Sequence, residues 1–447
     1  MAESKNDAGQ DIAILQPILE TGRGFYITTA ILLAIVAWAG FVWALQLRRG
    51  LGLTGLNRPV MWGIYITNFV FFIGLSHAGT LISAILRLCK AEWRRAITRC
   101  AEVLTVLVLF IGMSNIILDL GREDRLLNVL KHPHLRSRLL WDVLSVSCYL
   151  TASSIYLFLP LIPDIELVRD TTTKWRAFYR LLALGWSGTP KQWRVLERAI
   201  TVMAVIVLPI SVSVHTVVSW VFGMTIQPMW HSTIFGPYFV AGAIFSGIAA
   251  LIVAMALLRW AYGLGDYFKL VHFKNLGSLL LVMTLLWFYF TFAEFLTTYY
   301  GGEPSHMIVF DAKLWGPYAP LFWGMVLFCF IIPFAILAPH RTRNIPGTVI
   351  ASISVMIGMW LERYLIVVPT LANPRLPVPR GLYYPTWVEL SLTAGCFAAF
   401  ILLYALFSKV FPIVSVWEIR EGRTQGVEEA MERIKGYLPG AEKLSPV

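Results

Sequence analysis

Ten stretches of about twenty mostly apolar residues recur along the chain, and this repetition leaves few folds open. They run over 25–47, 61–87, 97–119, 141–162, 196–222, 235–260, 277–299, 316–338, 346–368 and 387–411. The runs are long and unbroken, without the alternation of a barrel strand, so they predict membrane-spanning helices. Composition agrees: 57% of the 447 residues are hydrophobic, only 14% are charged, and the mean hydropathy is +0.67. The 17 Trp and 17 Tyr fit aromatic belts at membrane interfaces. The expected fold is all-α, a polytopic membrane protein of about ten transmembrane helices.

A net charge of +11 suits nucleic acid as well as topology, but the Lys and Arg lie mainly in loops between apolar runs. With span-edge residues counted in the adjoining loop, 25 of them fall on the side of both termini and 11 on the other, with Arg363 inside a span. The positive-inside rule therefore puts both termini in the cytoplasm and argues against a nucleic-acid partner. The longest loop, 163–195, is then cytoplasmic, while the loop with Arg122 and Arg125 and the uncharged loop 223–234 face outward. Five Cys are scattered with no CxxC pair, and the first 24 residues carry no cleavable signal pattern. Spans two to five and six to nine suggest two four-helix units with spans one and ten outside. That gives segments 1–24 (cytoplasmic), 25–60 (first flanking helix), 61–222 (first bundle), 223–368 (second bundle), 369–411 (last flanking helix) and 412–447 (cytoplasmic tail). The tail is soluble in character, and its 427–437 stretch could form a short amphipathic helix at the membrane surface.

Ionisable groups inside apolar spans are costly unless they have partners or a task. Asp119 leaves span three and Asp142 enters span four, across a short basic loop. Arg122 lies within a turn of Asp119 and is placed to keep a carboxylate ionised. His215 lies toward the outer end of span five, so Asp119, Asp142 and His215 are expected at similar depth, as a site that binds a ligand and exchanges protons with it. His77 sits among small residues in span two, as a ligand contact, a proton relay or a packing histidine. Glu102 belongs to an inward proton path or pairs with Arg99 or Arg95, the latter being favoured. Glu294 lies in span seven, and Glu362 and Arg363 in span nine read as an internal ion pair. Counted from the outer span ends, His77 and His215 differ in depth by about 13 Å, which argues against a haem shared between them. There is no CxxCH, no nucleotide-binding loop and no zinc signature.

Several stretches resemble the NrfD/PsrC family of integral membrane subunits. They are Trp62-Gly-Ile-Tyr-Ile-Thr-Asn68-Phe, His77-Ala-Gly-Thr-Leu-Ile-Ser83, Asp119-Leu-Gly-Arg122, Trp141-Asp142-Val, Pro160-Leu-Ile-Pro163-Asp, Val214-His215-Thr-Val-Val-Ser-Trp220, and the run from Trp230-His231 to Gly247. In this order they span nearly the whole chain, and the ten-span form is similar to the membrane subunits of alternative complex III and of the Qrc and Dsr quinone-linked complexes. The resemblance implies two four-helix bundles plus flanking helices, a bacterial inner-membrane location, and an enzyme role as subunit of a quinol/quinone oxidoreductase. It implies a bound quinone (menaquinone or ubiquinone) near the outer face of the first bundle, and no haem, iron–sulfur cluster or metal in this chain. An outer iron–sulfur subunit would exchange electrons with the quinone. A multi-haem cytochrome or molybdopterin-type subunit, and a second NrfD-like membrane subunit, are the further partners expected. The family's site positions fall on Asp119 and on Asp142 after Trp141. Some members have His at the first position and Pro after Gly-Arg, where this chain has Asp119 and Glu123.

Quinol oxidation releases two protons, so carboxylates and imidazole in an apolar slot suit it. Asp119, Asp142 and His215 are the expected catalytic groups, His77, Arg122 and Trp141 the quinone contacts, and Glu102, Glu294, Glu362 and Arg363 a proton path. A secondary transporter for a small solute or ion is the competing reading, and a bare membrane anchor for a redox partner is a third. Against the transporter, the polar residues gather at one rim more than at the midplane.

Overall fold

The computed structural model describes residues 14–171, 175–377, 379 and 381–424. The expected 427–437 helix lies outside them. Among the described residues there are helices and loops and no strand. In chain order the long elements are α1 (Arg23–Arg49), α2 (64–88), α3 (Thr98–Leu120), α4 (Arg138–Thr171), α5 (Pro190–Gly223), α6 (Phe235–Tyr262), α7 (Leu270–Gly301), α8 (Ala319–Leu337), α9 (Ile345–Ala372) and α10 (Trp387–Val410). Nine of them are long and apolar enough to cross a membrane, so the chain is an all-α polytopic membrane protein.

The exception is α2, which is broken. A regular helix runs over Ile64–His77, widens into a π-turn over Ala78–Ile82, and resumes over Ser83–Leu88. The π-turn presses the backbone of Gly79 onto α3. A Cβ there would stand 1.8 Å from the Ala101 carbonyl and 2.0 Å from Thr105 Oγ1. Thr105 in turn donates a 2.7 Å hydrogen bond to the Ser76 carbonyl. Gly79→Ala is therefore expected to force α2 and α3 apart and destabilise the protein by about 1–3 kcal/mol. Thermal unfolding in detergent tests this, and an unchanged midpoint would refute the contact.

Neighbours in sequence are mostly neighbours in space. α2 packs on α3, α3 on α4 and α4 on α5; α6 packs on α7 and α9, and α8 on α7 and α9. α6 also lies against α2 and α5, and α9 against α2. α1 pairs with α10, which touches α3.

Two expectations change. The long loop 163–195 is largely helix. α4 continues through Pro160 and Pro163, and α5 starts at Pro190 behind a Thr189–Gln192 capping box. A proline inside a helix removes a donor and strains the turn before it. Here the Pro160 carbonyl accepts Arg99 Nη2 at 2.8 Å and Trp417 Nε1 at 2.9 Å, so this turn is held by neighbouring elements. The tail after Phe411 is not soluble in character at its start. Ile413, Val414 and Val416 are buried, and Glu418 is buried with them. This apolar stretch is too short to span a membrane and instead covers the ends of α2, α3 and α4.

That end of the molecule is a network of buried charge. Asp164 accepts Arg99 Nη2 at 3.0 Å and the backbone N–H of Val416 and Trp417 at 3.3 and 3.2 Å. Glu418 pairs with Arg87, and also with Arg94 at 3.3 Å. Burial works to raise the Glu418 carboxyl, but Arg87, Arg94 and Arg99 outweigh it and hold the group below the usual carboxylate range.

Candidate functional site

The opposite end carries Asp119 and Asp142. Asp119 sits in the last turn of α3, which Gly121 closes in a left-handed conformation (φ 63°). Arg122 does not hold Asp119. Its guanidinium is 63% exposed and grips Asp124 through hydrogen bonds of 3.0 and 3.1 Å. That grip lowers the Asp124 carboxyl below its ordinary value. A carboxylate two residues away in the same turn reaches the guanidinium in water, where neither group loses hydration. Asp119 Oδ1 is buried without a hydrogen-bond partner. Its electrostatic neighbours are Glu389 and Tyr65. The Tyr65 hydroxyl donates to Gln46 Oε1 at 2.7 Å, and Gln46 Nε2 donates to the Leu118 carbonyl at 2.8 Å, which ties α1 and α2 to the end of α3.

Asp142 is buried in the first turns of α4, and its Oδ1 also lacks a partner. Arg138, one turn earlier on the same face, has a buried Nη1 without one. Trp141 Nε1 donates to the Leu135 carbonyl at 2.7 Å, so this indole fixes the loop against the start of α4. Buried polar atoms without partners are uncommon, and each one calls for an explanation.

His215 belongs to a different level from the one expected. Its ring centroid lies 3.7 Å from that of His77. The depth argument fails because the helix ends do not share a plane. His77 is thirteen residues inside α2 whereas His215 is eight from the end of α5, so α2 reaches farther by about 8 Å. His77 Nε2 donates to the Ser211 carbonyl at 2.8 Å, which leaves Nδ1 as the ring's acceptor when neutral. The Nδ1 atoms of both imidazoles are buried without partners. With the rings in contact, no porphyrin fits between them. Tyr149 stands 5.6 Å from His77, centroid to centroid, and lies on the buried face of α4 two turns below Asp142.

Farther along that face, Tyr156 meets Ser83 Oγ at 3.2 Å, and Ser83 donates to Glu102 Oε1 at 2.6 Å. Glu102 thus hydrogen-bonds Ser83, not Arg99 or Arg95. Arg99 is committed to Asp164, and Arg95 to Glu92 and Glu421. From Asp142 through Tyr149, Ser153 and Tyr156 to Asp164, α4 therefore turns a row of buried polar side chains inward.

A second set lies among α6, α7 and α9. Arg363 Nη1 is 3.2 Å from Glu362 Oε2, as the adjacent pair suggested, and the guanidinium stands 4.8 Å over the Phe239 ring. Gly242 makes that fit possible, since a Cβ there would be 2.7 Å from Arg363 Nη2. Glu362 Oε1 accepts Trp287 Nε1 at 3.0 Å, and Glu294 Oε2 accepts Ser232 Oγ at 2.5 Å. Lys313, on the short helix Pro304–Leu314, inserts beside them and is only 6% exposed. Burial pushes its ammonium down to about 8, against the pull of Glu294 and Glu362. Sequence reasoning missed Lys313 because it sits in a loop between spans. It also passed over Arg138, although its spacing of four from Asp142 was available.

Among the described residues, no three His, Cys, Asp or Glu side chains converge as a metal site. The comparisons with known proteins fit this picture of a membrane chain. Over 87% of its length the chain is 26% identical to a Halobacterium salinarum protein provisionally named as a membrane subunit of dimethyl sulfoxide reductase, 92% of which is covered. It is 24% identical to a subunit of the selenate reductase of Mesobacillus selenatarsenatis, with 88% and 94% of the two chains covered. It is 23% identical to the Hdr-like menaquinol oxidoreductase integral membrane subunit of Archaeoglobus fulgidus, with 89% and 95% covered. The sequence profile described as polysulphide reductase, NrfD, matches residues 52–374, well over half of the chain, which therefore belongs to the NrfD family.

Proposed function

We propose that this chain is the quinone-binding membrane subunit of a respiratory oxidoreductase complex, exchanging electrons between the quinone pool and an iron–sulfur subunit on its Asp119 side. The observation that carries this is the pair of carboxylates, Asp119 and Asp142, each with a buried oxygen that no protein donor satisfies, at the rim of an apolar bundle. A bound quinone supplies two-electron chemistry coupled to two protons. Asp142 accepts or returns a hydroxyl proton, and Asp119 serves the same site from α3. Trp141 positions Asp142 by fixing the loop. The His77–His215 pair stands behind as the next proton acceptor. The name of the Archaeoglobus fulgidus relative favours menaquinone.

In this reading α2–α5 form the quinone-bearing bundle, α6–α9 the second, and α1 and α10 flank them. Both termini are cytoplasmic in a bacterial inner membrane, and the iron–sulfur subunit docks outside. A multi-haem cytochrome or molybdopterin-type subunit and a second NrfD-like chain complete the complex. The row along α4 to Glu102 and the Glu294 and Glu362 carboxyls provide proton-carrying side chains on either side of the bundle interface, with Arg363 holding Glu362 in place.

The test is purification of the assembly from its native membrane in mild detergent, identification of its chains by mass spectrometry, and assay of quinol-linked electron transfer. An iron–sulfur protein that co-purifies and is reduced or oxidised with added quinol analogue is the expected result. A chain that purifies alone and carries out solute uptake in liposomes would establish the transporter instead.

A further inference from the structure

Lys313 is the least expected charge in the protein. It reaches the bundle from outside the spans, and burying an ammonium is costly unless something compensates it. The groups that face it come from three spans. Glu294 is on α7, Glu362 is on α9, and Tyr238, whose hydroxyl borders Glu362 and accepts from Thr291 at 3.2 Å, is on α6. None of the ion pairs closer than 4.0 Å among the described residues joins Lys313 to Glu294 or Glu362, yet both carboxylates act on it. Between them is a cavity of about 30 Å³, walled by Trp230, Phe235, Phe322, Met325, Leu365 and Ile366. That volume holds about two water molecules, and charged groups surround it, so water rather than a dry void is its natural content.

Arg363 fastens one wall of this chamber to α6, with its guanidinium 4.8 Å over the Phe239 ring. Its partner Glu362, 3.2 Å away, lines the chamber.

We propose that the Glu294–Lys313–Glu362 chamber is a proton-loading site, with Lys313 as its proton carrier. The transfer balances without any redox step. A proton that reaches Glu362 passes to the Lys313 amine, breaking an O–H bond and forming an N–H bond. The Lys313 ammonium then releases a proton through water to the Glu294 carboxylate beside Ser232. One proton has moved from the deep carboxylate to the one nearer the Asp119 end. Lys suits this role because its ammonium releases a proton when desolvated, which a guanidinium does not do.

The proposal rests on the quinone reading, and the test separates the two. The intact complex, wild type, Lys313→Gln and Lys313→Arg, is reconstituted in liposomes with an internal pH dye. Quinol-linked electron transfer and protons moved per electron are read in the same vesicles. The expected result is that wild type moves more protons than the quinone chemistry alone supplies. Both variants should keep the electron-transfer rate and lose that excess, the Arg variant included, since it preserves the charge but not the exchange. Variants with wild-type proton yield overturn the proposal alone, as does a wild type that moves only the quinone's own protons. Loss of electron transfer and protons together in both variants makes Lys313 a structural residue and also overturns it. Absence of quinol-linked electron transfer in wild type overturns the quinone reading itself, and this inference with it.

Discussion

Asp142→Asn is expected to lower quinol-linked electron transfer by about 10²–10⁴-fold while leaving thermal unfolding of the complex near that of wild type. The substitution keeps volume and hydrogen-bonding reach. It removes only the capacity to take up a proton, at a buried position where one carboxylate oxygen has no protein partner. Asp124→Asn is the matched control. Asp124 lies nearby in sequence but is exposed and occupied by Arg122, so its loss should leave the rate unchanged. Steady-state oxidation of a soluble quinol analogue by the purified complex reads both. A rate for Asp142→Asn equal to that of wild type would remove Asp142 from the site and favour the bare-anchor reading.

The largest stability effect is expected at the other end. Glu418→Ala should cost about 3–5 kcal/mol, because it leaves Arg87 and Arg94 with uncompensated charge in a largely buried setting. The pH dependence has a definite sign. The Glu418 carboxyl titrates lower in the folded protein than the roughly 4.3 of an unfolded chain. Its contribution is therefore complete above that unfolded value and is lost as pH falls through the lower folded one. Melting curves of wild type and Glu418→Gln in detergent should differ most near neutral pH and converge in acid. A constant gap from pH 7 down to acid would show that Glu418 acts by shape and not by charge.

Residues that act through their own helix were legible in the sequence. The apolar runs gave the all-α membrane class, and the Glu362–Arg363 ion pair needed only adjacency. Asp119 and Asp142 stood out because carboxylates at the edge of apolar runs have few neutral explanations. What could not be read is the offset between helices. His77 and His215 meet because α2 and α5 end at different heights, and rise per residue says nothing about where a helix starts relative to its neighbour. Lys313 was hidden for a related reason. A short helix between spans folds back into the bundle, and a count by loops assigns its charge to solvent. Arg122 failed in the opposite direction, since nearness in sequence to Asp119 was outweighed by an easier partner two residues on. Glu418 was assigned to a soluble tail because an apolar stretch of a few residues carries no spanning signal.

The π-turn of α2 has a consequence for insertions and deletions. A π-turn amounts to one residue added to a regular helix. Deleting a single residue within 78–82 would return α2 to an even pitch while leaving both flanks near their present register, since the wide turn already absorbs the added residue. Ser83 would then stay with Tyr156 and Glu102, and Arg87 with Glu418. A deletion among the regular turns of 64–77 would instead rotate His77 relative to the start of the helix by about 100°. The alignment of the histidine level with the charged far end is thus kept by residue count in the regular turns, and the wide turn is where that count can change. A shortened α2 can keep its composition, its hydropathy and its place in the membrane and still lose that alignment.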